Sequence, residues 1–356
     1  FASSAQSKKA CAALIVLSCS PLVLLAGLRS VEVGTDVVVY LQGMYWKSID
    51  GGLEAVLSGN SEPLFAILVW AATKLTGSLN GVMACVEIAI LAPFVLASYR
   101  MTPRRMGIAM LLYCLIFFLF GLNCMRQSIA ISFMLLASSF LIEKREKPFW
   151  ALMICAILVH NTAILGIVIW PVLKTAQHHF ALREGARSDG LFYVLAIGAL
   201  LLLTMMICFA PDLIKAVAGW RESFQYQVDQ LERGNGIVWK GMLLPVAFSL
   251  ALLFSWRSGK NRAVIVTCLV LLWIGGFFWQ FSSVSNQLYR LGMPFLIFVI
   301  PGVLSLLDDC KDRTISFLIG MAIASASSLF GFVFYIANGY AGTIPYHSDI
   351  VPLLSF

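Results

Sequence analysis

Residues 81–105 read GVMACVEIAILAPFVLASYRMTPRR, and this stretch decides the class of fold. From Gly81 to Ser98 the run carries one charge, Glu87, and it is followed at once by Arg100, Arg104 and Arg105. An apolar run of this length matches a hydrocarbon core of about 30 Å, and a basic cluster at its end fixes a crossing helix in a bilayer. The rest of the chain repeats the pattern. Of 356 residues, 60% are hydrophobic and 12% charged, roughly half the charged fraction of a soluble domain. The expectation is an all-α, polytopic membrane protein forming a single transmembrane domain over residues 1–356, with about 9–11 crossing helices. The chain opens on Phe1 rather than Met, so a preceding segment is expected.

Apolar blocks long enough to cross lie near 10–28, 81–98, 106–123, 126–142, 190–210, 238–256, 263–281, 288–307 and 314–337, with two ambiguous blocks at 63–78 and 148–173. Basic clusters stand at Lys8-Lys9, Arg100 to Arg105, Lys144 to Lys147, Lys174 to Arg187, Arg257 to Arg262 and Lys311 to Arg313. Placing all six on the cytoplasmic side fixes the parity of crossings. The block 63–78 then cannot cross, and it reads as an in-plane helix on the outer face, within a periplasmic loop of about 29–80. The block 148–173 must go in and return, as a re-entrant helical hairpin whose tip is His160-Asn161. Each half is too short to span the hydrocarbon, and non-helical backbone at membrane depth survives only inside protein or beside a wet cavity. A second outer loop covers about 211–237, and the C-terminus 338–356 is periplasmic. In this arrangement 16 of the 25 Lys and Arg lie inside and 9 outside, as the positive-inside bias requires.

The net charge of +7 does not point to nucleic acid, because the basic residues sit at helix ends and not on one amphipathic face. The nine cysteines are scattered, with no C-x-x-C pair and no metal-ligand spacing. No phosphate loop, zinc motif or Ser–His–Asp set is present, so neither metal nor cofactor is expected and ATP is not indicated as the energy source.

Three arginines gain nothing from the positive-inside bias: Arg29 closes the first helix, Arg126 opens 126–142 and Arg290 opens 288–307. Each alone could snorkel to outer headgroups. Together they suit a diphosphate, since a guanidinium fork binds phosphate oxygens in pairs. Asp36 lies at the same level. Glu87 lies inside a predicted helix, where an isolated carboxylate costs roughly 2.5–3.5 kcal/mol and so calls for a partner, a proton or a wet cavity. His160 sits at the hairpin tip; its plain alternative is a buried hydrogen-bonding histidine. The loop residues Arg221, Glu222, Tyr226, Asp229, Glu232 and Arg233 suit sugar hydroxyls but equally describe a solvated loop.

An ordered set of short motifs then resembles the EpsG family. Gly27, Arg29, Gly34-Thr35-Asp36 and Tyr40 are similar to its G-x-R-x-x-x-x-G-T-D-x-x-x-Y signature. Glu62-Pro63 looks like its Glu-Pro helix entry, and Arg126-Gln127-Ser128-Ile129-Ala130 is similar to its R-Q-x-I-A block. His160 matches the family histidine, with Asn161-Thr162 replacing the usual polar-Ser pair; Tyr289-Arg290 resembles a late motif only loosely, and Ile344-Pro345-Tyr346 looks like a terminal Pro-Tyr. The resemblance implies a Wzy-like polysaccharide polymerase of the bacterial inner membrane with a GT-C-like fold. Its donor and acceptor would be undecaprenyl-diphosphate-linked glycans, used for O-antigen or exopolysaccharide, with a chain-length regulator as a further partner. The expected mechanism is an inverting, metal-independent glycosyl transfer at the periplasmic face. Arg29, Arg126 and Arg290 would hold the diphosphate, and Asp36, then His160, then Glu87 are candidates for the base. Tyr40, Gln127, Tyr289 and Tyr346 would contact sugar or lipid. The alternatives are a flippase for the same lipid-linked unit and an O-antigen ligase-like transferase.

Overall fold

The computed structural model describes residues 2–58, 61–181, 239–255, 261–280, 282 and 288–355. The expected crossing 190–210 and the loop 211–237 lie outside the described residues. Every regular element among the described residues is helical. Among the described residues, five helical stretches are long and apolar enough to cross a membrane: Leu79–Met101, Met125–Ile142, Arg262–Gln280, Tyr289–Asp309 and Arg313–Ile336. The block 106–123 is broken at Phe117 into α6 (Met106–Ile116) and α7 (Phe118–Asn123), and 238–256 yields a helix of 13 residues, Leu243–Ser255.

The chain divides into two units, Phe1–Ile164 with Gly331–Phe356, and Leu165–Phe330. In the first, α5 (Leu79–Met101) starts where Ser78 accepts the Gly81 N–H at 3.1 Å, a serine cap of the usual kind. It packs between α1 (Ala2–Leu28) and α8 (Met125–Ile142), and α9 (Glu146–Val159) covers α8 from another side. The sequence of α8 explains its central place. Ser128, Ala130, Ser132, Ala137, Ser138 and Ser139 are all buried, and small residues let helices approach closely where lipid offers no hydrophobic drive. The Ser138 and Ser139 hydroxyls are satisfied by carbonyls one turn back, Met134 and Leu136, at 2.8 and 2.7 Å.

Arg100, at the end of α5, meets Glu143, just past α8, at 2.6 Å, and its guanidinium lies 3.8 Å over the Phe140 ring. The clusters beginning at Arg100 and Lys144 therefore share one end of this unit. In the second unit, α10 (Ile169–Ala181) packs on the helix Arg262–Gln280, which also packs on Val299–Asp309. The Asn261 amide and backbone N–H both bond the Asp309 carboxylate, at 2.9 and 3.0 Å. That contact puts Arg262 beside the entry to Lys311–Arg313.

The segment between α1 and α5 is far more helical than a loop with one helix. It contains a π-helical turn (Val37–Leu41), α2 (Gln42–Asp50), α3 (Gly52–Leu57) and α4 (Pro63–Thr76). At about 1.5 Å per residue, the 14 residues of α4 span roughly 21 Å, too little to cross. Pro63 at its first turn and Gly77 in the left-handed conformation after its last define its ends.

The turn leading into this segment depends on Gly34. Its φ is +89°, its N–H bonds the Gly342 carbonyl at 3.2 Å, and a Cβ there would stand 2.7 Å from the Leu122 carbonyl oxygen. Gly34→Ala therefore meets both a disfavoured backbone region and a backbone collision. We expect a loss of about 1–3 kcal/mol, read as a lowered melting temperature of the detergent-solubilised protein.

Candidate functional site

Four elements of the first unit bring their ends together around one carboxylate. Glu62 stands immediately before Pro63, at the start of α4, and its side chain is only 4% exposed. One oxygen, Oε2, accepts from Arg126 Nη1 at 2.6 Å, and the other, Oε1, meets His160 Nδ1 at 2.5 Å. Arg126 belongs to the first turn of α8, while His160 terminates α9. Tyr40, from the π-helical turn, completes the set: the Arg126 guanidinium lies 4.2 Å over its ring, a cation–π distance.

Local backbone explains why the histidine points there. His160 leaves the helix with φ −156° and ψ 120°, closing α9 through its own N–H to Ala156 and accepting from Ala163 N–H at 3.0 Å. The chain thus breaks at the expected position. Ser61 and Asn161 flank the histidine contact and are joined by a hydrogen bond of 3.2 Å.

Burial opposes ionisation of Glu62, but the His160 hydrogen bond and the Arg126 charge outweigh it and hold the carboxyl below its ordinary range. Arg126 and His160 are partly open, at 24% and 20% side-chain exposure. Arg126 keeps its Nε and Nη2 donors, and His160 its Nε2 atom, without a protein partner among the described residues. The arrangement is a buried anion that holds one cation and one imidazole, both partly exposed. Tyr40, the Glu62-Pro63 pair, Arg126 and His160 come from four separate motifs of the ordered set, and the model of the EpsG family matches residues 12–348, nearly the whole chain. The chain belongs to the EpsG family. That family is one of Wzy-like polymerases, which makes this chain, at the coarse level, a polymerase-type glycosyltransferase of polysaccharide biosynthesis and a multi-pass membrane protein. No match was found among curated proteins or among solved structures.

Other residues of the ordered motifs tie the neighbouring elements together. Gly27 lets α1 approach α5, its Cα facing the Ala84 methyl, and Asn80 from the start of α5 donates to the Gly27 and Arg29 carbonyls at 2.7 and 3.2 Å. Arg29, expected to bind phosphate, is 2% exposed. Its Nη1 donates to the Leu122 carbonyl at 2.5 Å, and Nε and Nη2 rest on the sulfurs of Met83 and Met125, both at 3.4 Å. Such a guanidinium is a packing and hydrogen-bonding pin, with its donors spent inside the protein. Thr35 Oγ1 and the Asp36 N–H both donate to Asn123 Oδ1, at 3.0 and 3.1 Å, and Asp36 is 8% exposed.

Glu87 is also interior: it is 2% exposed, and its Oε1 accepts from the Tyr113 hydroxyl at 3.1 Å. Gln127 is buried in α8 beside Arg126. Tyr346 is 3% exposed and donates to the Leu25 carbonyl at 2.7 Å. Arg290 and Tyr289 lie in the second unit, in the short turn Leu288–Leu291, where the Tyr289 ring packs 5.3 Å from Trp279. Among the candidates the structure therefore unites Arg126, His160 and Tyr40, sets Arg29, Asp36 and Gln127 behind them, and keeps Glu87 deeper on α5. Glu62 was not among the candidates. Its sequence signal was the Glu-Pro pair ahead of an apolar helix, which also describes an ordinary helix start.

The sign of the Glu62 shift sets a pH dependence. A carboxyl held below its ordinary value of 4.5 stabilises the fold fully above that value and loses the contribution as pH falls through the folded-state value. Wild type should melt higher than Glu62→Gln at pH 5, by an amount that shrinks as pH falls below about 4.5, measured on both proteins in one detergent.

Proposed function

We propose that this chain polymerises lipid-diphosphate-linked oligosaccharide units at the non-cytoplasmic face of the bacterial inner membrane, and that Glu62, Arg126 and His160 form its transfer site. The observation that carries the proposal is the single buried carboxylate of Glu62, bonded on one side to a cation and on the other to an imidazole.

In this mechanism the acceptor sugar hydroxyl attacks the anomeric carbon of the donor from the side opposite the diphosphate. The carbon–oxygen bond to the diphosphate breaks as the new glycosidic bond forms, so the configuration inverts. The hydroxyl proton passes to His160 Nε2. Glu62 holds the opposite ring nitrogen, Nδ1, which sets the tautomer with the Nε2 lone pair available and stabilises the imidazolium once it forms. Arg126 pairs the charge that develops on the departing diphosphate. A guanidinium already held by Glu62 and Tyr40 needs no reorganisation at that moment, and fixed charges of this kind are commonly the largest catalytic term.

This assignment differs from the sequence expectation in two ways. His160 takes precedence over Asp36 as base, because it combines partial exposure with an orienting carboxylate. Arg29 supports the site from behind and does not touch the donor. We place the in-plane lie of α4 as part of a GT-C-like arrangement, and the segments 29–80 and 338–356 on the periplasmic side. Undecaprenyl diphosphate is the carrier that the family suggests. A flippase would be expected to gather its charges near the bilayer midplane in matched broken helices; here the candidate cluster lies at the ends of α4, α8 and α9, which favours transfer over transport.

Arg126→Ala should abolish polymer while the protein level in membranes stays at wild type. His160→Asn should lower turnover by roughly 10²–10⁴-fold. Ladder formation from a synthetic diphosphate-linked repeat unit by the purified protein measures both, and near-normal ladders from either variant would overturn the assigned role. In cells, single repeat units on the lipid core would mark loss of a polymerase, polymer left on the carrier a ligase, and no exported glycan a flippase.

A further inference from the structure

The C-terminal segment from Gly339 onward makes a series of contacts that the transfer mechanism does not use. Two of its side chains reach the last turn of α1. Tyr346 Oη donates to the Leu25 carbonyl at 2.7 Å, and Ser348 Oγ donates to the Leu28 carbonyl. Carbonyls in the last turn of a helix have no partner within the helix, so both bonds satisfy groups that would otherwise be orphaned in a buried place. Two main-chain bonds continue the strap. The N–H of Ser30 donates to the His347 carbonyl at 2.9 Å, and that of Gly34 to the Gly342 carbonyl at 3.2 Å. Ser30, Val33 and Gly34 are buried beneath it.

The strap is itself pinned to the start of α8. Tyr340 Oη lies 3.4 Å from Cys124 Sγ, and the Tyr340 ring stacks against Phe120 at 6.4 Å between centroids. Tyr340 also packs on Phe334 and Tyr335, at 5.0 and 5.2 Å. Thr343 is fully buried and donates to the Tyr340 carbonyl at 2.7 Å. This is not a loose tail.

The strap holds the turn 29–36, which leads directly into the π-helical step that carries Tyr40 under Arg126. The turn is also attached through Arg29 to the Leu122 carbonyl, and through Thr35 and Asp36 to the Asn123 amide. Resting on the proposed transfer site, we infer that Tyr346 and Ser348 are positioning residues for glycosyl transfer: they fix the turn 29–36 and thereby the Tyr40 ring that orients Arg126. Tyr346 therefore serves the reaction through the backbone of α1.

Removing both donors while keeping the shapes, in Tyr346→Phe with Ser348→Ala, tests this on the purified full chain with a synthetic diphosphate-linked repeat unit. The double variant should lower kcat/KM about tenfold, the scale of two lost hydrogen bonds. A role in general stability would give the same loss in any background. A role through Tyr40 predicts non-additivity: in a Tyr40→Ala background the same two substitutions should cost less than about twofold. Equal losses in the two backgrounds, or no loss in the first, would overturn the inference. If the double variant is not recovered from membranes, Tyr346→Phe alone supports the same comparison. The underlying site is judged separately: normal polymerisation by Arg126→Ala defeats the transfer assignment, whereas a dead Arg126→Ala with additive strap variants defeats only the strap.

Discussion

One buried carboxylate organises the functional end of the first unit. Glu62 has a side chain that is 4% exposed, and its two oxygens serve partners 64 and 98 residues away in the chain. A carboxylate in such surroundings is costly unless both oxygens are satisfied, and satisfying both is what brings α8 and α9 to the start of α4. The same bonds restrict the partners. A free arginine samples many rotamers, but this one is held at one nitrogen by Glu62 and across its face by Tyr40. A free histidine has two tautomers; this one has its Nδ1 committed. On the proposed mechanism, structure and chemistry therefore share an origin, since the contact that closes the fold also presents the transfer groups.

The architecture was legible where physics acts locally. The run from Gly81 to Ser98 is a helix because eighteen largely apolar residues crossing lipid have no other way to satisfy their backbone, and α5 covers it. Arg100 with Glu143, and Asn261 with Asp309, hold neighbouring helix ends together. The break at His160 could be anticipated from two half-helices too short to cross. By contrast, α2 and α3 were hidden in an apparent loop, because residues 42–57 mix Lys47, Asp50 and Glu54 with Trp46 and Leu57 and have no long apolar run. Their stability comes from packing on α4. Glu62 escaped notice for a related reason. Its two partners are tertiary, while its local setting, one residue before a helical proline, has a sufficient explanation of its own.

The ordered glycine, arginine, threonine and aspartate near residue 30 look in sequence like a binding motif with charged ends. In the fold they are a joint. Gly27 permits close approach to α5, Arg29 reaches through to Leu122, Gly34 takes a backbone conformation that a side chain would strain, and Thr35 and Asp36 share the amide of Asn123. Tyr40, at the far end of the motif, is the member that meets Arg126. Arg29, Thr35 and the Asp36 N–H thus hold α1, α5 and α7 together, and Tyr40 follows from that joint.

The contrast between Arg29 and Arg126 comes from the same geometry. Both address the start of α8, for Arg29 touches Met125 and Arg126 is the next residue along the chain. Arg29 is interior, and a buried guanidinium must spend its donors on whatever acceptors surround it, here a carbonyl and two thioethers. In doing so it anchors Leu122 and Met125, the residues on either side of the Cys124 break. Arg126 has 24% of its side chain open and gives up one nitrogen to Glu62. A cation meant to receive a diphosphate has to keep donors in reserve, and it can do so without wandering only if the backbone carrying it is immobilised by other means. The interior arginine supplies that immobilisation, so two residues of one type, both set against the start of α8, are suited to opposite tasks.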